Sequence, residues 1–172
     1  MSNRIEFRDY SSLEASSRAI ADTLVNEIQK ARDENKAFTL VLAGGKTPET
    51  LYRMLLQPPY QNTIPWEIVH VFVGDERFVP DSHPDSNYAM MHQSLLSTLP
   101  LPASQIHPIP THFDTPEKAA ASYEQNLQNL FLNLQTPGSI AGGTTISFDV
   151  ILLGMGSDGH TASLFPGSQA LE

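Results

Sequence analysis

The amino-acid sequence predicts an α/β domain with an open, mainly parallel sheet and helices on both faces of that sheet. Three observations lead to this fold class. Short apolar runs alternate with amphipathic stretches along the 172 residues. The longest apolar runs each end in a polar turn, and two of these turns are rich in glycine. No repeat or compositional break marks a second domain, so we expect one domain over residues 1–172.

The first half of the chain predicts two helices and two strands. A helix is expected over residues 11–30, because apolar residues recur there at helical spacing, and Ser11 with Glu14 matches a capping box. The residues of this apolar stripe are Leu13, Ile20, Leu24, Ile28 and Ala31. A buried strand over residues 37–42 leads through a glycine turn into a helix that reaches about Leu56, with Pro48 in its first turn. Residues 67–73 form the second predicted strand.

The second half continues the alternation. A helix capped by Asp85 or Ser86 is predicted to reach about Leu99, and a short strand follows over residues 105–109. A further helix spans residues 115–134, and the small residues at 136–145 indicate a surface connection. The last predicted element is a buried strand over residues 148–153.

The end of the chain bears on the predicted domain. Only thirteen residues follow Gly159, whereas an apolar strand such as residues 148–153 expects helical cover on both faces. We therefore expect the C-terminal part of the domain to be missing. A longer version of the chain is predicted to be more stable and more active than these 172 residues.

Composition argues against several classes of protein. The formal net charge is −9, which disfavours general affinity for nucleic acid. Residues 1–6 mix charges early and do not resemble a signal peptide, and no apolar run approaches the roughly 20 residues of a membrane span. Cysteine is absent, which is compatible with a reducing compartment. We expect a cytoplasmic protein without nucleic-acid or membrane partners, whose oligomeric state the sequence does not predict.

The first polar turn follows the strand at residues 37–42. Gly44 and Gly45 allow a ligand to approach the backbone closely, and the start of the next helix offers unpaired amides and a positive dipole end. Lys46 and Thr47 add a positive charge and a hydroxyl group. The turn therefore favours phosphate binding, although a tight turn without ligand has the same composition. The spacing is not that of a Walker loop.

The second polar turn places Asp75, Glu76 and Arg77 directly after an apolar strand. Arg77 could bind a phosphate with two hydrogen bonds. Asp75 and Glu76 could hold Arg77 in place or bind the hydroxyl groups of a sugar. The alternative interpretation is a solvated turn with a local ion pair.

The third polar turn spans residues 154–163 and contains a Gly-x-Gly-x-x-Gly pattern. A dinucleotide site would need a further helix, a further strand and an acidic residue roughly 20 positions on, and the chain ends too early for these. The turn instead presents Asp158 and His160. Histidine can take a proton from water near neutral pH, and a carboxylate can fix its tautomer. The alternative is a structural histidine.

The remaining histidines have no metal-ligand spacing, so neither a metal nor a cofactor is predicted.

Three stretches, at residues 43–52, 74–88 and 152–167, together resemble the 6-phosphogluconolactonase family of the glucosamine/galactosamine-6-phosphate isomerase superfamily. The resemblance implies a Rossmann-like fold of the NagB and ribose-phosphate isomerase type. It also implies hydrolysis of 6-phospho-D-glucono-1,5-lactone to 6-phospho-D-gluconate in the oxidative pentose phosphate pathway, without a metal. The sequence departs from the family pattern at Lys46, where serine is frequent, and at Ser157, where proline is common.

The resemblance also implies roles for individual residues. His160 is expected to transfer the proton, and Gly44, Gly45 and Arg77 are expected to help bind the phosphorylated substrate. These roles predict a mechanism in which His160 is the general base and Asp158 orients the His160 ring. The amides of the turn between Gly156 and Gly159 are expected to stabilise the oxyanion.

Two other functions stay open at this point. An amino-sugar-phosphate isomerase or deaminase resembles this family in its Asp-Gly-His turn, but it continues with an acidic residue, whereas residues 163–166 here are Ser-Leu-Phe-Pro. A non-catalytic sugar-phosphate sensor would need Lys46 and Arg77 but not a base. The presence of both Asp158 and His160 favours the enzyme.

Overall fold

The sheet of this computed structural model, which describes residues 5–134 and 147–172, is parallel throughout. In the described residues it has four strands in the order β3-β2-β1-β4. The strands are β1 (Phe38–Leu42), β2 (Val69–Val73), β3 (Ile106–His107) and β4 (Val150–Ile151). Every pair of neighbouring strands is parallel.

Helices precede and follow these strands, as the sequence predicts. They are α1 (Leu13–Asp33), α2 (Lys46–Leu55), α3 (Tyr60–Thr63), α4 (Asn87–Met91) and α5 (Pro116–Leu134). A π-helical turn, His92–Leu96, extends α4. None of the helices in the described part of the chain combines the length and the apolar character that a membrane span requires.

The two faces of the sheet carry separate apolar clusters. On one face, alternate residues of β1 and β2 pack with residues of α1, α2 and the α4 extension. On the other face, Val41 and Phe72 pack with Phe131 of α5 and with Phe148. Because the side chains of a strand alternate between faces, fully buried strands such as β1 serve both clusters. The prediction of helices on both faces of an open parallel sheet is confirmed.

Helix α1 differs from its prediction in its cap and its buried face. Its N-cap is Ser12, not Ser11, since the Ser12 hydroxyl accepts a hydrogen bond from the Ala15 amide at 3.1 Å. The predicted stripe is correct only in part: Leu13 and Ile20 are exposed. The small side chains of Ser17 and Ala21 are buried in their place, and small side chains let a helix approach its neighbours closely.

Strand β4 is shorter and more exposed than predicted. The Asp149 carboxylate accepts hydrogen bonds from the amide and hydroxyl of Thr39 at 2.7 and 2.6 Å, so a side chain replaces the backbone ladder where the strand was expected to start. β4 lies at the edge of the sheet. Ile151 of β4 and Leu153, two residues further on, are 51% and 65% exposed, which corrects the expectation of a buried strand.

Other boundaries shift by a few residues. Ser86 caps α4, and the helical segment ends at Leu96 rather than near Leu99. The third strand is limited to Ile106–His107. The predicted connection at 136–145 lies outside the described residues.

Candidate active site

The three polar turns predicted from the sequence lie together beyond the carboxyl ends of β1, β2 and β4. They line one open pocket with a volume of about 250 Å³. Its lining includes Gly44, Gly45, Lys46, Thr47, Asp75, Arg77, Asn87, Gly156 and His160. Parallel strands direct their carboxyl ends to one edge of a sheet, and ligands of open α/β sheets bind at that edge.

The glycine turn after β1 forms an anion-accepting wall of this pocket. Gly45 is the N-cap of α2 with a φ of 95°, a backbone conformation that favours glycine, and no side chain caps the helix. The first amides of α2, at Lys46 and Thr47, therefore have no intrahelical acceptor. A hydrogen bond also holds the turn to α2, since the buried Tyr52 hydroxyl donates to the Ala43 carbonyl at 2.7 Å.

Glu76, which the sequence predicts to bind substrate or to hold Arg77, is not among the residues that line the pocket. Its carboxylate accepts hydrogen bonds from the amides of Arg77, Asn87 and Tyr88 at 2.7 to 2.8 Å. The Ser86 hydroxyl also donates to it, at 3.1 Å. A carboxylate at a helix N-terminus satisfies unpaired amides and complements the helix dipole. Glu76 thus joins the turn after β2 to the start of α4.

Arg77 lines the pocket and is held differently from the prediction. Its Nη1 donates to the Asp85 carbonyl at 2.8 Å. Within the described ranges, its guanidinium forms no ion pair with Asp75, Glu76 or any other carboxylate. The remaining guanidinium donors are therefore available to an anionic ligand.

Asp75, in the second turn, is hydrogen-bonded to the third turn. The Ser163 hydroxyl donates to its Oδ2 at 2.7 Å, and the Asn87 Nδ2 lies 3.4 Å from its Oδ1. These neighbours are neutral, so the Asp75 carboxylate brings its negative charge to the pocket wall opposite the glycine turn. It is placed to accept hydrogen bonds from hydroxyl groups.

His160 and Asp158 form a hydrogen-bonded pair. The His160 Nδ1 lies 2.5 Å from the Asp158 Oδ1, and the hydrogen bond from His160 lowers the pKa of Asp158 below its usual range. An ionised carboxylate only accepts hydrogen bonds, so Nδ1 carries the proton. Nε2 then holds the lone pair of the neutral ring. Phe165 lies against the imidazole with a centroid distance of 4.6 Å and a tilt of 30° between the ring planes.

The amides of Gly156 and Gly159 are not directed at a ligand, which corrects the predicted oxyanion role. The Gly156 amide donates to the His160 carbonyl at 2.8 Å, and the Gly159 amide donates to the Gly156 carbonyl at 3.0 Å. Both amides thus close the turn on itself. Glycine is needed at 156 for another reason, since a Cβ there would collide with the His160 ring.

Three residues of this site were not assigned a role from the sequence. Asn87 is 2% exposed and lies beside Gly44, Ser163 donates a hydrogen bond to Asp75, and Phe165 lies against the His160 ring. All three belong to stretches that carry the family resemblance. The signal available for Asn87 was its position directly after the predicted cap Ser86, in the stretch that follows the second strand.

A second histidine pair lies away from the pocket. The His70 Nδ1 is 3.0 Å from the His107 Nε2, and the His107 ring stacks on Phe72. Burial lowers the pKa of both histidines, that of His107 to about 4. In the described part of the chain, no cluster of three or more histidine, aspartate or glutamate residues is arranged to hold a metal ion.

Comparison with known proteins identifies the family. The family described as glucosamine-6-phosphate isomerases/6-phosphogluconolactonase matches residues 11–172. The chain belongs to this family. It is 41% identical over 151 residues to a 6-phosphogluconolactonase of Nostoc sp., with 88% of this chain covered. It is 43% identical over 148 residues to a 6-phosphogluconolactonase of Synechocystis sp., with 86% of this chain covered.

A solved structure supports the same assignment. The 6-phosphogluconolactonase of Trypanosoma cruzi superposes with a TM-score of 0.79 at 31% identity, covering 99% of this chain and 66% of that chain. The chain spans 58% of the length of the Nostoc protein and 57% of that of the Synechocystis protein.

Proposed function

We propose that this chain hydrolyses 6-phospho-D-glucono-1,5-lactone to 6-phospho-D-gluconate, the reaction of the oxidative pentose phosphate pathway that the related lactonases are named for. The observation that carries the proposal is that His160, hydrogen-bonded to Asp158, lines the same pocket as the unpaired N-terminal amides of α2. One side of the pocket offers a proton acceptor, and the other offers a seat for phosphate.

Phosphate binding fixes the substrate. The phosphate lies at the start of α2, where the Lys46 and Thr47 amides and the Lys46 ammonium group face it, and Arg77 supplies further donors. Asp75 accepts hydrogen bonds from ring hydroxyl groups. Anchoring the phosphate at a distance from C1 holds the lactone carbonyl at a fixed orientation.

His160 moves the proton. Its Nε2 takes a proton from water as the water oxygen attacks C1, and Asp158 stabilises the imidazolium that forms. The tetrahedral intermediate then breaks the bond between C1 and the ring oxygen, and His160 returns the proton to that oxygen. A δ-lactone is a reactive ester, so a general base worth about 10²–10⁴-fold is a sufficient contribution.

The two other functions differ from this proposal at identifiable positions. A deaminase needs an acid after the Asp-Gly-His turn, and here Ser163 occupies that stretch and donates to Asp75. A sensor needs no base, yet His160 is held in one tautomer by Asp158. A cytoplasmic location stays part of the proposal and is tested by imaging of a tagged chain.

The test follows acid release from the lactone in weak buffer, with the spontaneous rate subtracted. We expect catalysis by the chain, its near-complete loss in His160→Asn, and its retention in the control His112→Asn, which alters an exposed histidine outside the pocket. Binding of 6-phosphogluconate should survive in His160→Asn. Tight binding of 6-phosphogluconate without any turnover by the unmodified chain would instead support the sensor.

A further inference from the structure

The side chain of Asn87 lies where the glycine turn and the acidic turn meet. It is the first residue of α4, and only 2% of it is exposed. Its Nδ2 donates to the Asp75 carbonyl at 2.8 Å. The carboxamide also fills the space beside Gly44, since a Cβ on Gly44 would collide with Asn87 Oδ1, Cγ and Nδ2.

These contacts have different consequences for the two turns. The hydrogen bond from Nδ2 fixes the backbone of Asp75, and with it the direction of the Asp75 carboxylate. The packing against Gly44 sets how closely the glycine turn approaches the acidic turn. A buried amide that loses its partner is costly, so the arrangement resists displacement of either turn.

We propose that Asn87 is a positioning residue that sets the width of the pocket between Gly44 and Asp75, and so determines affinity for the phosphorylated sugar. The inference rests on the proposed function for its choice of substrate. Among the described residues, no hydrogen bond joins Asn87 to His160. Its loss should therefore affect binding more than the proton transfer.

The backbone of α4 does not depend on the Asn87 side chain. The Asn87 amide donates to Glu76, and the Ser86 hydroxyl caps the helix through the Ala89 amide. Both contacts are available to any residue at position 87. Asn87→Ala should therefore retain the start of α4.

The experiment is a double-mutant cycle with Asn87→Ala and Gly44→Ala. We expect each single variant to raise KM for the lactone and Kd for 6-phosphogluconate by about tenfold, with kcat within about threefold and an unchanged pH profile of kcat. In the double variant the new methyl group occupies the space vacated by the carboxamide. The increase in Kd of the double variant, relative to the unmodified chain, should be far smaller than the product of the increases in the two single variants.

Asn26→Ala is the matched control, since Asn26 is an exposed asparagine on α1. If Asn87→Ala does not fold, Asn87→Asp keeps the shape of the side chain while removing the Nδ2 donor, and the same rise in KM and Kd is expected. Values of KM and Kd within twofold of the unmodified chain, or single effects that multiply in the double variant, would overturn the proposal.

A second readout separates this inference from the proposed function. In two-dimensional NMR spectra, the amide signals of Gly44 and Asp75 should shift in Asn87→Ala and stay in place in Asn26→Ala. If the unmodified chain does not hydrolyse the lactone, the proposed function fails and these signals still decide the positioning role. Unshifted Gly44 and Asp75 signals in Asn87→Ala would then reject it.

Discussion

The Ser163 hydroxyl donates a hydrogen bond to the Asp75 carboxylate at 2.7 Å and thereby joins two turns that are far apart in the sequence. Asp75 follows β2, and Ser163 follows the turn that carries His160. The bond joins the Asp75 carboxylate and the turn of the His160 imidazole in one connected wall of the pocket. Movement of either turn is therefore transmitted to the other.

Loss of this link should weaken catalysis moderately. Ser163→Ala removes one partner of the Asp75 carboxylate, and we expect kcat/KM for the lactone to fall by about 3–10-fold, since a partly exposed hydrogen bond contributes modestly. Steady-state kinetics measure the effect. Ser104→Ala, at an exposed serine, is the control and should leave kcat/KM unchanged. A loss as large as that of His160→Asn would instead identify Ser163 as a reacting group.

Asp158 should affect the rate through the tautomer of His160. In Asp158→Asn the amide no longer requires a proton on Nδ1, and the imidazolium loses its counter-charge. We expect kcat to fall by about 10²-fold or more, while Kd for 6-phosphogluconate stays within a few fold. Asp33→Asn, at the exposed end of α1, is the control. A normal kcat in Asp158→Asn would show that His160 needs no orienting carboxylate.

Arg77 should distinguish phosphorylated from unphosphorylated ligands. Its guanidinium is anchored by the Asp85 carbonyl and carries further donors at the pocket. Arg77→Ala should weaken binding of 6-phosphogluconate by about tenfold or more and change gluconate binding little. Calorimetry with both ligands measures this difference. Arg53→Ala, which removes an exposed arginine paired with Glu49, is the control. Equal losses for both ligands would mean that Arg77 is only structural.

Glu76 should contribute to stability more than its partly exposed position indicates. Asn87 and Tyr88 donate to different oxygens of Glu76, and Glu76→Gln replaces one of these acceptors with a donor amide that faces a backbone amide. We expect the free energy of unfolding to fall by about 1–3 kcal/mol, measured by urea denaturation. Glu67→Gln, at an exposed glutamate, should be neutral. A Glu76→Gln variant as stable as the unmodified chain would show that water replaces the lost contacts.

The His70–His107 pair should make stability depend on pH. The folded chain lowers the pKa of His107 to about 4, whereas an unfolded histidine titrates near 6.5. Between these values the unfolded chain binds more protons, so the free energy of unfolding is highest above about pH 6.5 and falls as the pH drops towards 4. After allowance for solvent at the half-buried ring, the fall due to His107 is about 1–2 kcal/mol.

His107→Asn tests this dependence. The variant should be less stable than the unmodified chain at pH 7, and the difference in unfolding free energy between the two should shrink as the pH falls to 4.5. Denaturation at a series of pH values provides the measurement. His112→Asn should keep the pH dependence of the unmodified chain. A constant difference between His107→Asn and the unmodified chain across this range would rule out titration of the pair.

The sequence was informative where local chemistry decides the structure. The apolar run ending at Leu42 and the glycines after it predict a strand and a turn at the observed positions, because burial and positive φ values depend on residue type. The prediction of Ser11 as the α1 cap was wrong, because Ser11 and Ser12 are adjacent serines and residue type does not distinguish them. Only the path of the chain before the helix places the Ser12 hydroxyl beneath the Ala15 amide.

By itself the sequence determined the alternation of strands and helices and the three polar turns, since hydrophobic periodicity and glycine content are properties of short segments. Tertiary structure decided which polar groups of those turns are left for a ligand. Glu76 is used to cap α4, and the Gly156 amide closes its own turn, whereas Arg77 and the first amides of α2 remain available. A hydrogen-bonding group is assigned by the partners that folding brings within reach. For Glu76, Arg77 and Gly156 these partners lie 1 to 12 residues along the chain, but the residue pattern does not show which donor will meet which acceptor.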